Sequence, residues 1–121
     1  FAGREYVFVD GGMADNPRYA LYKAKYEAML ANKMNQEADT TYTVAGKCCE
    51  SGDMLVMDAK LPKAEQGDLL LVSSTGAYNY SMSSNYNRLP KLPVVFVKDG
   101  TSRLVVKGET LEDLIKNIKQ N

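Results

Sequence analysis

Short β-prone segments separated by glycine-containing turns most constrain how this chain can fold. Turn signals fall at Ser51-Gly52-Asp53, Gln66-Gly67-Asp68 and Asp99-Gly100-Thr101. Candidate strands lie around them, at residues 41–45, 54–59, 69–73, 94–98 and 103–106. An Asp-Gly pair between two apolar runs is a strong signal for a β-hairpin. Short strands at such intervals predict a β-barrel or sandwich with helices at its periphery.

The first part of the chain predicts one strand and one helix. Residues 6–9 are apolar and β-prone, and a glycine turn follows them. Asn16 suits an N-cap and Pro17 the first helical position, so we expect a helix from residue 18 to about residue 32. Within it, small and apolar residues recur at three- and four-residue spacing, as on a helix with one buried face: Leu21, Ala24, Ala28 and Ala31.

The end of the chain predicts a second amphipathic helix, over residues 109–119. Thr110 suits its cap position. Apolar residues share one side of the helix: Leu111, Leu114, Ile115 and Ile118. A chain of 121 residues without a linker or an internal repeat has single-domain length. We therefore expect residues 1–121 to form one mainly β domain of the α+β class.

Composition excludes several classes of function. Fifteen basic residues balance fifteen acidic ones, and no basic tract indicates a nucleic-acid partner or a membrane surface. The apolar runs are too short to span a bilayer. The chain has no histidine, which removes the commonest general base and metal ligand. We expect no metal site, and any catalysis here must use Cys, Tyr, Glu, Arg or Lys, or groups supplied from elsewhere.

The two cysteines and the N-terminus indicate cellular context. Cys48 and Cys49 are adjacent, and a disulfide between them would be strained. Since no zinc-ligand spacing is present either, reduced thiols in the cytoplasm are expected. The chain starts at Phe1, close to a predicted strand. We therefore expect a fragment, a processed chain or a deliberately shortened one.

Arg18 and Tyr22 are the first candidate site residues. They are four residues apart, so they share one face of the predicted helix. A guanidinium beside a phenol near a helix start can bind a carboxylate in a bidentate way. The alternative is a solvated arginine beside a half-buried tyrosine, and arginines are mostly exposed.

Two further polar stretches carry candidate chemistry. Cys49 and Glu50 lie between two predicted strands and could supply a proton donor and an acceptor for a substrate ammonium. The alternative is a buried cysteine beside an exposed turn carboxylate. Residues 75–87 contain three tyrosines, three asparagines and three serines. Such a loop can line a polar pocket in which a phenol donates to a phosphate oxygen, or it is a long surface loop.

Taken in order, these stretches resemble the C-terminal domain of the diaminopimelate decarboxylases. The ordered set reaches to about residue 97 and is far more specific than any one of its motifs. The matching residues are Val9-Asp10-Gly11-Gly12-Met13, Arg18 with Tyr22, Cys49-Glu50-Ser51-Gly52-Asp53, Leu61-Pro62, Gly67-Asp68, Gly76-Ala77-Tyr78, Ser81-Met82, Tyr86-Asn87 and Pro90.

The resemblance implies a fold, a cofactor and partners. Members of that family are pyridoxal-phosphate-dependent decarboxylases of fold type III, and they convert meso-diaminopimelate to lysine and carbon dioxide. An N-terminal TIM-like barrel carries the lysine that bonds the cofactor, and a C-terminal β-barrel completes the site. The enzymes are head-to-tail homodimers with active sites at the interface. We see no credible counterpart of that barrel in this chain, so the chain alone should neither hold the cofactor tightly nor decarboxylate.

The resemblance also implies roles for five residues. Arg18 and Tyr22 match the residues that bind the distal carboxylate of the substrate. Cys49 matches the proton donor and Glu50 the residue that holds the distal ammonium, both acting in the partner subunit's site. Tyr78 matches the tyrosine that touches the cofactor phosphate and the substrate.

Two departures and two alternatives remain beside this interpretation. Tyr19 stands where many members have proline, and Asn79 lies at a variable position. Decarboxylases of ornithine or arginine typically show Cys-Asp where this chain has Cys49-Glu50, which favours diaminopimelate. A decarboxylase of another basic amino acid or polyamine precursor, such as ornithine, arginine or carboxynorspermidine, is one alternative. A non-catalytic β-domain that binds a partner is the other.

Overall fold

A computed structural model describes residues 3–120 of the chain. Strands dominate and the helices are few and short, which confirms the mainly β expectation. The strands are β1 (Tyr6–Phe8), β2 (Ala28–Leu30), β3 (Thr40–Ala45), β4 (Met54–Leu61), β5 (Leu70–Val72), β6 (Val94–Lys98) and β7 (Thr101–Val106). The α-helices are α1 (Arg18–Tyr22), α2 (Asn79–Met82) and α3 (Leu111–Ile115), and 3₁₀ turns lie at Ala31–Lys33 and Tyr86–Arg88. The backbone separates into two compact units, Phe1–Ser83 and Ser84–Asn121.

A three-stranded sheet forms the centre of the first unit, in the order β1-β3-β4. β1 runs parallel to β3, with Val7 opposite Val44, and β4 runs antiparallel to β3, with Val44 opposite Val56. Val44 and Leu61 are fully buried. Apolar side chains from these strands pack together into the core: Leu30, Tyr42, Val44, Leu55, Val56, Ala59 and Leu61.

The helix expected over residues 18–32 is wrong beyond its first turns. α1 ends at Tyr22, and Lys23 adopts a left-handed conformation with φ 57°. β2 follows, pairs antiparallel with β5, and inserts Leu30 into the core at 2 % exposure. Strand pairing and the burial of one leucine outweigh a helix propensity that is weak by itself. The periodic spacing was misleading, since Leu21 is 60 % exposed.

The hairpin predicted at Asp99-Gly100 is confirmed in the second unit. β6 and β7 pair antiparallel, with Lys98 opposite Thr101. Asp99 and Gly100 have φ values of 52° and 74°, as a two-residue turn that matches the twist of the strands requires.

The C-terminal helix is shorter than the expected 109–119 and starts later. Thr110 is its N-cap, as expected: its hydroxyl accepts from the Asp113 N–H while the Asp113 carboxylate accepts from the Thr110 N–H. Glu109 precedes the helix, and its carboxylate accepts from Asn85 Nδ2 and Lys91 N, each at 2.7 Å. These two bonds hold Glu109 against residues 85 and 91, so the helix begins after residue 109.

The strands group into three separate sheets, of three, two and two strands. Within residues 3–120 they do not close into the barrel that the resemblance implies. No helix in that same range is long and apolar enough to cross a membrane.

Candidate functional site

The loop between β1 and α1 places Arg18 at the start of its helix. The Gly12 carbonyl accepts from the N–H groups of Asp15 and Asn16, at 2.9 and 3.1 Å. Asn16 is buried, and its Oδ1 accepts from the Arg18 N–H at 3.3 Å. The N-cap is Pro17, one residue later than expected, and it has a helical conformation without a side-chain cap bond. The Asn16 side chain instead bonds across Pro17 to the first residue of the helix.

Arg18 lies against two tyrosine rings. Its guanidinium carbon is 5.6 Å from the centroid of Tyr22 and 5.0 Å from that of Tyr78, and its Nη1 lies 3.9 Å from the Met82 sulfur. We call these four side chains the arginine cluster. Cation–π contacts of this kind contribute about 0.5–2 kcal/mol each, depending on desolvation. Thioether sulfur is a weak acceptor and a guanidinium has five N–H donors, so donors remain for an anion.

Tyr78 has a strained backbone. Its φ is 71° and its ψ −37°, and the Asn79 N–H bonds back to the Ala77 carbonyl at 2.9 Å. This three-residue γ-turn is a rare conformation. Residues held in such conformations cost on the order of 1–3 kcal/mol and cluster at functional sites. The turn leaves the tyrosine side chain 67 % exposed while its ring contacts Arg18.

Cys49 and Glu50 lie on the turn between β3 and β4, which we call the cysteine turn (residues 48–52). Both residues are exposed, whereas Cys48 is buried. Glu50 Oε1 accepts from the Gly52 N–H at 2.9 Å, which orients the carboxylate on its own turn. Burial raises the pKa of the Cys48 thiol, and the nearby Asp53 carboxylate adds to that effect. Of the two thiols, the one assigned to proton transfer is therefore the accessible one.

The sequence did not single out Asp53, which nonetheless joins two loops. Asp53 is only 3 % exposed. Its Oδ1 accepts from the Met13 N–H and its Oδ2 from the Cys48 N–H, each at 2.6 Å. In the same region burial raises the pKa of Asp15, whose Oδ2 accepts from the Gly12 N–H at 3.1 Å. In the sequence Asp53 ends the turn signal Ser51-Gly52-Asp53, so it fits an ordinary turn residue and its burial has no local signal.

The structure thus arranges the five predicted site residues in two groups. Arg18, Tyr22 and Tyr78 meet in the arginine cluster, although 60 residues separate the first and last of them in sequence. Cys49 and Glu50 form the second group on the cysteine turn. Among residues 3–120, no group of three or more His, Cys, Asp or Glu side chains is placed to hold a metal ion.

Comparison with known proteins gives a consistent result. Residues 2–76 match the model of a pyridoxal-dependent decarboxylase, C-terminal sheet domain. The chain is 60% identical over 113 residues to the diaminopimelate decarboxylase of Bacillus subtilis (strain 168), covering 93% of this chain and 26% of that protein. It therefore spans about a quarter of the length of this relative.

Solved structures agree with the sequence comparison. The crystal structure of diaminopimelate decarboxylase from Helicobacter pylori complexed with L-lysine matches with a TM-score of 0.82 and 39% identity, over 92% of this chain and 27% of that one. The diaminopimelate decarboxylase of M. jannaschii in co-complex with L-lysine matches with a TM-score of 0.86 and 34% identity, over 95% and 26%.

Proposed function

We propose that this chain is the C-terminal domain of a diaminopimelate decarboxylase. The chain belongs to the family of pyridoxal-dependent decarboxylases and matches the C-terminal sheet domain of that family. The complete polypeptide would convert meso-2,6-diaminopimelate to L-lysine and carbon dioxide, the last step of lysine biosynthesis. The 60% identity to a relative of that name supports this specificity. Since the chain spans about a quarter of that relative, we assign the activity to the complete polypeptide.

The substrate sets the demand on this domain. meso-Diaminopimelate carries an amino-acid group at each end, so its unreactive end keeps a carboxylate and an ammonium. A site that pairs both charges discriminates against amines that lack one of them, because an unpaired buried charge costs on the order of 3–5 kcal/mol. The domain therefore needs one fixed cation and one fixed anion.

The observation that carries the proposal is the arginine cluster. Arg18 supplies the cation. The rings of Tyr22 and Tyr78 contact its guanidinium, with centroids at 5.6 and 5.0 Å, and restrict the movement of that group. A pre-ordered fork loses less rotamer freedom when a carboxylate binds. In this assignment Arg18 and Tyr22 bind the distal carboxylate, and the exposed Tyr78 contacts the substrate and the cofactor phosphate.

Cys49 and Glu50 supply the remaining chemistry. Both are exposed, so they are available to a second subunit, and we assign them to the partner's active site in a homodimer. Glu50 would pair with the distal ammonium. The Cys49 Sγ–H would donate the proton that replaces the lost carboxylate on the reacting carbon, and the resulting thiolate would then regain a proton from solvent.

The residues of this chain fit the edge of a site for pyridoxal phosphate. The Tyr78 side chain is 67 % exposed, and its phenol can donate a hydrogen bond to a phosphate oxygen. When bound, the cofactor would accept the electron pair left on the substrate as carbon dioxide departs. The N-terminal barrel domain would supply the main contacts to the cofactor. It would also contribute to the closure of the sheets into a barrel and to the dimer interface. We place the complete enzyme in the cytoplasm.

The experiment assays the complete polypeptide, reconstituted with pyridoxal phosphate, for carbon dioxide release. We expect meso-diaminopimelate to be preferred over ornithine, arginine and carboxynorspermidine. Tyr78→Phe should lower kcat/KM, since it removes the phenolic donor. Tyr80→Phe is the matched control, because Tyr80 is an exposed tyrosine of the same loop outside the arginine cluster. A preference for one of the other amino acids, or inactivity of the reconstituted protein, would overturn the proposal.

A further inference from the structure

We infer that Asp53 is a positioning residue, which fixes the cysteine turn against the glycine loop (residues 11–13) and so sets the place of the Cys49 thiol. The inference rests on the proposed function, because it concerns how the assigned proton donor is held. Asp53 does not touch the reacting atoms in this account. It acts through the Cys48 peptide N–H, one residue before the donor.

The two carboxylate oxygens of Asp53 each serve a different loop. Oδ1 accepts from the Met13 N–H and Oδ2 from the Cys48 N–H, both at 2.6 Å. Hydrogen bonds to an ionised acceptor are short and about twice as strong as neutral ones. A carboxylate can accept at both oxygens, whereas an amide accepts at only one of its two terminal atoms. An aspartate at this position is therefore the shortest side chain that can hold both loops at once.

The glycines of both loops are shaped around this carboxylate. A Cβ added to Gly12 would lie 2.9 Å from Asp53 Oδ2. A Cβ added to Gly46 would collide with both Asp53 oxygens and with the Gly12 Cα. Because a side chain at either position would collide with the Asp53 carboxylate, both residues must be glycine for the two loops to approach that carboxylate so closely. The contact is thus built from one residue of the glycine loop, Gly12, and two residues that flank the cysteine turn, Gly46 and Asp53.

Backbone bonds fasten the residues on either side of the cysteine turn, and the Asp53 carboxylate holds the first residue of the turn, Cys48. The Gly46 N–H donates to the Asp53 carbonyl at 2.9 Å, and the Lys47 N–H donates to the Gly11 carbonyl at 3.0 Å. The side chains of Cys49 and Glu50 point out to an exposed surface. The buried side of the turn, which Asp53 supports, therefore controls where the outward-facing thiol lies. Misplacing a reacting group by about 1 Å can cost about 100-fold in rate.

The test is a double-mutant cycle in the complete holoenzyme with meso-diaminopimelate as substrate. Asp53→Asn is nearly isosteric but turns an amide N–H₂ toward one of the two peptide donors. We expect it to lower kcat about 10- to 100-fold with KM changed less than about threefold. In a Cys49→Ala background the same substitution should change kcat less than about threefold, because the group that it misplaces is gone.

Asp15→Asn is the matched control. Asp15 also accepts from the glycine loop, at the Gly12 N–H, and asparagine keeps one oxygen for that bond. We expect its kcat to stay within about twofold of wild type. If Asp53→Asn does not fold, Asp53→Glu enters the same cycle, since it keeps the charge and both oxygens but displaces them by one methylene group.

The outcomes separate the inference from the function on which it rests. Failure of the wild-type holoenzyme to use meso-diaminopimelate contradicts the proposed function. An active wild type in which Asp53→Asn, or Asp53→Glu in its place, lowers kcat equally with and without Cys49 shows a general structural role and overturns the inference alone. If Asp53→Asn, or Asp53→Glu in its place, leaves kcat unchanged in the enzyme that retains Cys49, the inference is overturned as well.

Discussion

Gly46→Ala should be among the most destabilising single-methyl additions in this chain. Gly46 precedes the cysteine turn, and its N–H donates to the Asp53 carbonyl. A Cβ at this position would lie closer than 3.0 Å to both Asp53 carboxylate oxygens and to the Gly12 Cα. The Gly12 atom belongs to backbone and cannot swing aside as the end of a flexible side chain could, so the loops must separate.

The cost follows from two terms. Overpacking a closely packed site costs about 1–3 kcal/mol. Separating the loops also weakens a bond from Met13 or Cys48 to the Asp53 carboxylate, and hydrogen bonds to charged groups contribute about 1.5–3 kcal/mol. The free energy of unfolding should therefore fall by at least about 2.5 kcal/mol. With an unfolding entropy of about 2.1 cal/mol/K per residue, a chain of 121 residues loses roughly 4 °C of melting temperature per kcal/mol, so a loss of at least about 10 °C is expected.

Thermal unfolding followed by circular dichroism measures this change. Gly76→Ala is the matched control, because a Cβ there meets nothing within 4 Å and the residue has no left-handed φ. It should be neutral or stabilising by about 0.4–1 kcal/mol, since alanine restricts the unfolded chain. A Gly46→Ala protein that melts within about 2 °C of wild type would refute the close approach of Asp53 to this glycine.

Three further predictions concern acid stability, the hairpin and the thiols. Lys33 lies 2.8 Å from Asp68 and lowers the pKa of that carboxyl from 3.8 to about 2. The resulting stability is present above the pKa of the carboxyl in the unfolded chain and is lost as the pH falls toward 2. Asp68→Asn should therefore flatten the decline in melting temperature between pH 4 and pH 2. In a urea titration, Gly100→Ala should lower the free energy of unfolding by about 1–2 kcal/mol, because φ is +74° at this position of the hairpin turn. Asp99→Gly should be tolerated in the same experiment. Equal effects of the two substitutions would argue against the turn. Mass spectrometry of native protein treated with iodoacetamide should show Cys49 alkylated well before Cys48, since Cys49 is exposed whereas Cys48 is buried and burial raises the pKa of its thiol. The reverse order would contradict the arrangement of the turn.

Local chemistry made some elements predictable from the sequence. The β6–β7 hairpin needed only Asp99 and Gly100 in left-handed conformations, and the start of α3 needed only the reciprocal cap of Thr110 and Asp113. The helix expected over residues 18–32 failed for the opposite reason. Its second half pairs with β5 about 40 residues later in the chain, and no local pattern reports such a partner.

The candidate site shows the same division. Arg18 and Tyr22 could be grouped from their four-residue spacing, but the contact of Arg18 with Tyr78 depends on how the chain folds back. Asp53 was overlooked because Ser51-Gly52-Asp53 already made sense as a turn. Its burial and its bond to Met13, 40 residues away, arise only when the two loops meet. The closing of the sheets into a barrel and the single-domain organisation of residues 1–121 stay predictions.

The most direct measurement of the central claim is the ratio of kcat/KM for meso-diaminopimelate to that for D-lysine, which keeps the reacting amino-acid group and the distal ammonium but lacks the distal carboxylate. If Arg18 binds that carboxylate, Arg18→Ala in the complete holoenzyme should lower the ratio at least about 100-fold, with most of the loss falling on meso-diaminopimelate. Arg18→Lys, which keeps the charge but not the fork, should give an intermediate ratio. A ratio that stays at its wild-type value while both substrates lose activity alike would contradict the claim that this arginine recognises the distal carboxylate.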